Sequence, residues 1–201
     1  MKVTIIDYGA GNVPSVERAL DRLGAKSVRT GSPEDISKAR VLLLPGVGHY
    51  SALLRALDEQ NMRAPLVDAI GRGVPFLGIC LGLQVLFKAS AESPQLRGLS
   101  LLPGKVRALP AGVKLPHMGW NQIAANRESR LLAGIDAGAY FYFAHSYAAS
   151  DSHGSTAATC FHGISFAAVV EKQNIYGVQF HPEKSGDAGS RLLDNFLRSA
   201  A

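Results

Sequence analysis

Cysteine is scarce in this chain of 201 residues, which contains only Cys80 and Cys160. Two cysteines do not make a disulfide framework, so the sequence indicates a reducing compartment. No hydrophobic run approaches the ~20 residues that a membrane span requires. No hydrophobic leader segment precedes the first predicted strand, which starts beside Lys2. We therefore expect a cytoplasmic protein that does not contact a membrane.

Clustered charge is also missing. The formal net charge is +5, but the 21 lysines and arginines are scattered singly and are not interleaved with aromatic residues. A nucleic-acid interface would need basic residues gathered on one face or along one element. Charged residues make up 18% of the chain and hydrophobic residues 47%, which is typical of a globular protein. The composition therefore predicts a folded protein that binds no nucleic acid.

The order of the predicted elements favours an α/β fold. Apolar runs at 3–6, 41–44 and 74–79 have the length of strands buried on both faces, and segments with helical periodicity separate them. The second half is richer in strands, which are predicted near 105–109, 113–115, 139–147, 156–161, 164–171 and 174–180. No linker, repeat or low-complexity tract divides the chain. We therefore expect residues 1–201 to form a single domain.

The stretch from 74 to 87 carries the main chemical signal. Cys80 lies where a buried strand passes into a segment of helical spacing, and Gly78 and Gly82 flank it two residues away on each side. This G-x-C-x-G spacing is the cysteine counterpart of the G-x-S-x-G nucleophile elbow. A helix continuing through Phe87 would point its N-terminal N–H groups at the sulfur and favour the thiolate. The pattern predicts that Cys80 is a nucleophile, although an inert buried thiol is the alternative.

A nucleophilic cysteine needs a base, and six histidines compete for that role. His181 is favoured because it ends a predicted strand and is followed by Pro182 and Glu183. In an extended chain residues two apart project to the same side, so Glu183 can orient the imidazole of His181. The other cysteine, Cys160, lies in a strand-like run and is expected to be structural.

Two other kinds of site are rejected on their spacing. Residues 9–11 resemble the start of a dinucleotide-binding fingerprint, but Pro14 replaces the third glycine and no acidic residue ends a strand about 20 residues later. A metal site built from His145, His153 and His162 matches no known ligand spacing. We therefore expect neither a cofactor nor a metal.

The PGVG stretch at 45–48 follows the second buried strand and is rich in glycine. Glycines at the carboxyl end of a parallel strand let backbone N–H groups approach a ligand closely. The stretch is therefore suited to supply half of an oxyanion hole, with a plain strand-to-helix loop as the alternative.

Six stretches together resemble the class I, triad-type glutamine amidotransferases: DYGAGN at 7–12, PGVG at 45–48, GICLG at 78–82, PHMGWN at 116–121, FYFAHSY at 141–147 and GVQFHPEKS at 177–185. The first, fourth and fifth are similar to those of the glutaminase subunits that serve a synthase of histidine biosynthesis. The resemblance implies an open, mostly parallel, flavodoxin-like sheet flanked by helices, with additional antiparallel strands in the second half. It also implies hydrolysis of L-glutamine to glutamate, with ammonia passed to a (β/α)8-barrel cyclase in a heterodimer.

The resemblance further implies roles for single residues. Cys80 would form a thioester with the substrate, His181 would shuttle protons and Glu183 would orient His181. The oxyanion-hole positions of the family match Val47, Gly48 and Leu81. Its substrate-binding positions match Gln84, Glu92, Ser146 and Tyr147. Its partner-interface positions match Asn12, Met118, Gly119 and Trp120.

Two stretches depart from the family pattern, HYS at 49–51 and FHG at 161–163, and Leu83 stands where methionine is common. Other functions stay open at this level. They are the glutaminase of pyridoxal phosphate synthesis, against which PHMGWN at 116–121 counts, a cysteine peptidase or DJ-1-like protein on a related fold, and a non-catalytic docking module.

Overall fold

A computed structural model describes residues 1–151 and 154–200 of the chain. The helices are α1 (Val13–Arg22), α2 (Pro33–Lys38), α3 (Tyr50–Glu59), α4 (Arg63–Gly71), α5 (Leu81–Gln84) and α6 (Gly186–Ser199). The strands are β1 (Lys2–Ile6), β2 (Lys26–Thr30), β3 (Leu42–Gly46), β4 (Phe76–Cys80), β5 (Phe87–Ser90), β6 (Leu102–Ala108), β7 (His117–Gln122), β8 (Ala124–Ala125), β9 (Tyr140–His145), β10 (Tyr147–Ala149), β11 (Thr156–His162), β12 (Ile164–Lys172) and β13 (Ile175–Val178).

The main sheet has eight strands in the order β2-β1-β3-β4-β13-β12-β11-β8. Its first five strands are parallel, and the last three pair antiparallel. The five parallel strands follow the 2-1-3-4-5 order of flavodoxin-like folds. The predicted α/β fold, with a mostly parallel sheet and added antiparallel strands, is confirmed.

Strand β13 is the feature of this sheet that matters most for the site. It comes last among the strands in the chain but lies beside β4, with Gly177 opposite Gly78 and Val178 opposite Ile79. Neighbouring parallel strands end at the same edge of a sheet. The residues that follow β4 and β13 therefore meet at that edge although about a hundred residues separate them in sequence.

Two hydrophobic layers enclose the sheet. Helices α1 and α6 cover one face through side chains such as Val16, Leu20 and Phe196, and α3 and α4 cover the other through Leu54 and Leu66. Strands β3 and β4 are buried along their whole length. Their apolar sequences match this position because strands covered on both faces lack polar alternation.

Two smaller sheets come from the second half. Strands β10, β6 and β5 form one, and β7 and β9 form an antiparallel ribbon. The ribbon alternates, so that His117 and His145 face inward while Met118 and Trp120 are 61% and 55% exposed. Within the described residues no helix is long and apolar enough to cross a membrane.

Three predicted elements differ from the structure. Helix α5 ends at Gln84, and Phe87 begins β5 because it pairs with Leu102 and packs into the core. Residues 113–115 are irregular backbone with bends instead of a strand, since no neighbouring strand pairs with them. Strand β13 ends at Val178, so the segment before His181 is bent and not extended.

Candidate active site

Cys80 is the last residue of β4 and precedes α5, with φ 55° and ψ −106°. A positive φ is a strained conformation for a residue with a side chain, and such strain is concentrated at functional sites. The flanking glycines permit the turn. A Cβ atom on Gly78 would lie 2.4 Å from the Gly82 carbonyl oxygen, and one on Gly82 would lie 2.0 Å from the Leu44 oxygen. The strand-to-helix elbow predicted from the sequence is present.

The helix that follows the elbow is shorter than predicted. Helix α5 contains four residues, Leu81–Gln84, so it has a single turn of aligned peptides. The helix dipole therefore contributes less to the sulfur of Cys80 than the predicted helix through Phe87 implied. Any activation of the sulfur depends mainly on neighbouring side chains.

His181, the predicted base, is one of these neighbouring side chains. It follows β13, is 2% exposed and lines the same cavity as Cys80. Its backbone N–H donates to the Tyr142 carbonyl at 2.8 Å, which ties it to β9. Burial lowers the pKa of His181, but the hydrogen bonds to Cys80 and Glu183 outweigh it and raise that pKa to about 10. The imidazole therefore holds its proton at neutral pH.

Glu183 lies behind His181 and accepts a hydrogen bond from its Nδ1 at 2.9 Å. The contact was predicted from an extended chain, but the structure achieves it differently, since Pro182–Lys184 is a single turn of 3-10 helix. The same carboxylate oxygen, Oε1, also accepts from the side-chain amide of Asn12 at 3.1 Å. Asn12, predicted at a partner interface, thus also contacts the carboxylate behind His181.

Gln179 is a site residue that sequence analysis missed. It is fully buried, and its Nε2 donates to the Cys80 sulfur at 3.7 Å. The Oε1 of Gln179 accepts from Gln84 Nε2 at 3.1 Å. Gln84 Nε2 also donates to the Tyr147 carbonyl at 2.7 Å. An amide side chain just beyond an apolar strand was the available signal, because buried polar groups require partners.

These residues surround a cavity of about 190 Å³ at the carboxyl edge of the parallel strands. All predicted oxyanion and substrate-binding residues line it together with Cys80 and His181, and the lining set is Val47, Gly48, Cys80, Leu81, Gln84, Glu92, Ala144, His145, Ser146, Tyr147, His181 and Lys184. A larger groove of about 1080 Å³ lies beside residues 123–137 and is lined by no cysteine or histidine. We place the site in the smaller cavity because the candidate nucleophile and base meet there.

The glycine-rich loop after β3 packs against the elbow. A Cβ atom on Gly46, where the loop starts, would lie 2.7 Å from the Gly82 nitrogen. The backbones of the loop and the elbow are therefore too close for a side chain at position 46. The hydroxyl of Tyr8 accepts from the Val47 N–H at 3.2 Å and donates to the Val47 carbonyl at 3.3 Å. Burial raises the pKa of Tyr8 to about 12, so the hydroxyl keeps its proton. One predicted oxyanion donor, the Val47 N–H, is therefore engaged by Tyr8.

The HYS stretch at 49–51 has a structural role. His49 is the N-cap of α3, and its Nδ1 accepts from the Ser51 N–H at 3.2 Å. Tyr50 is fully buried, and its N–H donates to the Glu92 carboxylate at 2.9 Å. The His49 side chain of this departure from the family pattern thus caps a helix, and the backbone of the same stretch holds Glu92 at the cavity.

The outer face of the β7–β9 ribbon carries the exposed side chains of Met118 and Trp120. Trp120 packs edge-on against Tyr142 with ring centroids 6.1 Å apart, and Lys184 Nζ lies 5.6 Å from the centre of the Tyr142 ring. Gly119, between the two exposed residues, has a φ of 131°. This surface is continuous with the cavity through Lys184, which lines it.

No metal centre is found in the part of the chain that the structure describes, since no three His, Cys, Asp or Glu side chains there are grouped to hold an ion. The rejected metal site included His153, which lies outside the described residues.

Known proteins share this fold and these sequence features. The glutamine amidotransferase class-I family profile matches residues 4–200. A solved structure described as a glutamine amidotransferase has a TM-score of 0.80 at 19% identity and covers 98% of each chain. A PurLQS structure from Thermotoga maritima has a TM-score of 0.78 at 18% identity, over 100% of this chain and 99% of the other. Identities this low show the fold alone, but the profile match shows the family. The chain belongs to the class I glutamine amidotransferases.

Closer relatives narrow the family. Three proteins named imidazole glycerol phosphate synthase subunit HisH are similar over nearly their full length. The one from Moorella thermoacetica is 47% identical, over 96% of this chain and 93% of the relative. The one from Methanothermobacter thermautotrophicus is 46% identical over 97% of both, and the one from Aquifex aeolicus is 44% identical over 100% and 98%. Within class I, this chain is therefore a member of the HisH family, as its sequence stretches predicted.

Proposed function

We propose that this chain hydrolyses L-glutamine to L-glutamate and ammonia through Cys80, His181 and Glu183. We further propose that it delivers the ammonia to a (β/α)8-barrel cyclase, which uses it to make imidazole glycerol phosphate and AICAR in the cytoplasm during histidine biosynthesis. The observation that carries the proposal is a strained cysteine that lines one cavity with a buried histidine, whose Nδ1 donates to a buried carboxylate. A docking module would have no use for this arrangement.

The geometry supports a two-stage reaction. The sulfur of Cys80 attacks the side-chain amide carbon of glutamine and forms a thioester, while His181 gives its proton to the leaving ammonia. Water then attacks the thioester as His181 takes a proton from it, and glutamate leaves as the thiol re-forms. Glu183 accepts from Nδ1 of His181 and so leaves Nε2 for the sulfur side.

The oxyanion formed at each stage needs N–H donors. We assign them to Leu81, next to the nucleophile, and to the loop of Val47 and Gly48, because both line the cavity with Cys80. A donor in such a hole is worth about 3 to 4 kcal/mol in the transition state. The Val47 N–H is bonded to Tyr8 in this structure, so a complete hole requires that this bond be exchanged.

The cavity also suits the two charged ends of the substrate. Glu92 and the Ser146–Tyr147 segment line it together with Cys80, and we assign them, with Gln84, to the α-amino and carboxylate groups of glutamine. The Gln84 amide is held by the Tyr147 carbonyl and Gln179. Gln84 therefore fixes the Tyr147 wall of the cavity as well as contacting the substrate.

The partner surface is the outer face of the β7–β9 ribbon. Met118 and Trp120 are large, apolar and more than half exposed, and such side chains grouped on one face mark interaction sites. We assign the cyclase to this face, with Gly119 between them and Asn12 at the same end of the sheet. Relatives named HisH favour this partner over that of the pyridoxal phosphate synthase glutaminase.

A glutamate-release assay tests the proposal. We expect weak release by the isolated chain and a sharp rise when the barrel cyclase and its nucleotide ligand are added. Cys80→Ala and His181→Ala should each abolish release while circular dichroism shows an unchanged fold. Release that is unaffected by Cys80→Ala, or that never appears with any partner, would refute the proposal.

A further inference from the structure

Histidines outside the proposed triad form a cluster beside the cavity. His117 begins β7 and His145 ends β9, and the two lie opposite each other in the ribbon. His162 stacks on the His117 ring with centroids 4.1 Å apart and planes 17° from parallel, and Phe143 stacks on the same ring at 4.7 Å. The Nε2 of His162 donates to the Lys114 carbonyl at 2.9 Å. The unexplained FHG stretch at 161–163 thus supplies a ring that packs on His117.

The hydrogen bonds of the cluster determine where its protons lie. The Tyr147 carbonyl can only accept, so His145 Nδ1, 2.9 Å away, carries a proton. The Nε2 of a neutral His145 is then an acceptor, which receives the Nδ1–H of His117 at 3.0 Å. The Nε2 of His117 is left to accept from the Asn121 amide at 3.1 Å. As long as both rings are neutral, this series of hydrogen bonds allows only one tautomer for each histidine.

Burial keeps both rings neutral. His117 and His145 are 5% and 6% exposed. Burial is the largest cause that lowers the pKa of His145 to about 3, and the neighbouring histidines His117, His162 and His181 lower it further. Burial, with the charge of His162, lowers the pKa of His117 to about 4. A proton added to either ring would turn an acceptor into a donor and break the chain of hydrogen bonds.

The chain of hydrogen bonds ends on the wall of the cavity. The Tyr147 carbonyl that accepts from His145 also accepts from Gln84 Nε2 at 2.7 Å. Gln84 in turn contacts Gln179, whose amide donates to the sulfur of Cys80. The position of the Tyr147 peptide is therefore set from one side by the histidine pair and from the other by the amides that reach the nucleophile.

We propose that His117 and His145 are positioning residues for glutamine, and that the neutral pair, protonated on Nδ1 of each ring, fixes the Ser146–Tyr147 wall of the cavity through the Tyr147 carbonyl. This inference rests on the proposed function, because it concerns how the same cavity holds its substrate. Neither ring exchanges a proton with glutamine in this role. Loss of the pair therefore weakens substrate binding more than it slows the chemical step.

Kinetics of the complex with the cyclase test this role. His117→Phe keeps a ring to stack on Phe143 and His162 but removes both nitrogens. We expect its KM for glutamine to rise about tenfold or more with kcat within about twofold of wild type, the pattern of binding energy lost equally from the bound substrate and the transition state. His117→Asn retains an N–H near the Nδ1 position and should recover part of the KM.

His162→Phe is the matched control. It keeps the ring that stacks on His117 and removes only the bond to the Lys114 carbonyl, so its KM should equal that of wild type. A normal KM in a folded His117→Phe complex would overturn the inference while leaving the proposed function intact. If the wild-type complex, read in the same assay, released no glutamate, the proposed function would fail and the inference with it.

A spectroscopic measurement tests the pair without any variant. In ¹⁵N-histidine-labelled protein at pH 7, nitrogen shifts should show His117 and His145 as neutral Nδ1–H tautomers. An Nε2–H tautomer or a charged ring at His145 would overturn the inference whatever the kinetics show. In the first case Nδ1 has no proton for the Tyr147 carbonyl, and in the second Nε2 can no longer accept from His117.

Discussion

Glu183 accepts the Nδ1 proton of His181 at 2.9 Å, and the two side chains are 1% and 3% exposed. A carboxylate this buried next to an imidazole stabilises the charged form of the ring. Burial opposes that charge, yet the hydrogen bonds to Cys80 and Glu183 raise the pKa of His181 to about 10. We therefore expect this pair to affect both the proposed reaction and the stability of the fold.

The raised pKa predicts how stability depends on pH. A histidine whose pKa is higher in the folded state stabilises the fold fully below its ordinary value of about 6.5, and loses that contribution as pH rises through about 10. Between these limits the free energy of unfolding should fall by up to about 1.4 kcal/mol per pH unit more in wild type than in His181→Gln. Urea denaturation of both proteins from pH 6 to 10 measures the difference. Parallel curves would show that His181 does not carry this charge.

The elbow predicts a severe effect of a small substitution. A methyl group on Gly82 would lie 2.0 Å from the Leu44 carbonyl oxygen, which is backbone and cannot rotate away. We expect Gly82→Ala to lower the free energy of unfolding by about 3 kcal/mol or more. Gly71→Ala is the control, because nothing lies within 4 Å of a Cβ there and alanine favours the helix. Equal stability of the two variants in urea would contradict the close approach.

The Tyr8 hydroxyl predicts a gain of activity in the isolated chain. Tyr8→Phe removes the group that accepts from the Val47 N–H and so frees that N–H for the oxyanion. We expect glutamate release without the cyclase to rise several-fold, while the unpaired Val47 carbonyl costs about 1 to 3 kcal/mol of stability. Tyr50→Phe is the matched control. It also removes a buried tyrosine hydroxyl, but among the described residues that hydroxyl has no hydrogen-bond partner. Lower release by Tyr8→Phe would show that the hydroxyl holds the loop in its active form.

Local sequence patterns predicted much of this site. The glycines around Cys80 and the spacing of His181 and Glu183 are constraints within five residues, and each is visible in a single stretch. The apolar runs at 3–6, 41–44 and 74–79 predicted β1, β3 and β4, although β2 was not predicted, and parallel strands that are neighbours in a sheet end at the same edge. The cavity therefore assembles from stretches that could each be recognised alone.

Contacts between distant residues were not predictable in this way. The bond from Tyr8 to Val47 and the pairing of His117 with His145 depend on the register of strands far apart in the chain. Helix α5 stops early because Phe87 is taken into a strand by Leu102, a tertiary pairing that overrides helical spacing. Gln179 was overlooked because its partners, Gln84 and Cys80, lie about a hundred residues away.

The central claim is that Cys80 attacks the amide of glutamine, and covalent labelling tests it most directly. The protein in complex with the cyclase would be treated with a glutamine analogue that carries a diazoketone in place of the amide, and the modified peptide would be identified by mass spectrometry. Cys160 is an internal control, because burial raises the pKa of its thiol to about 12. We predict one adduct per chain, on Cys80, with loss of glutamate release in proportion to labelling. Release that persists when Cys80 is fully modified, or inactivation with the adduct on Cys160, would contradict the account.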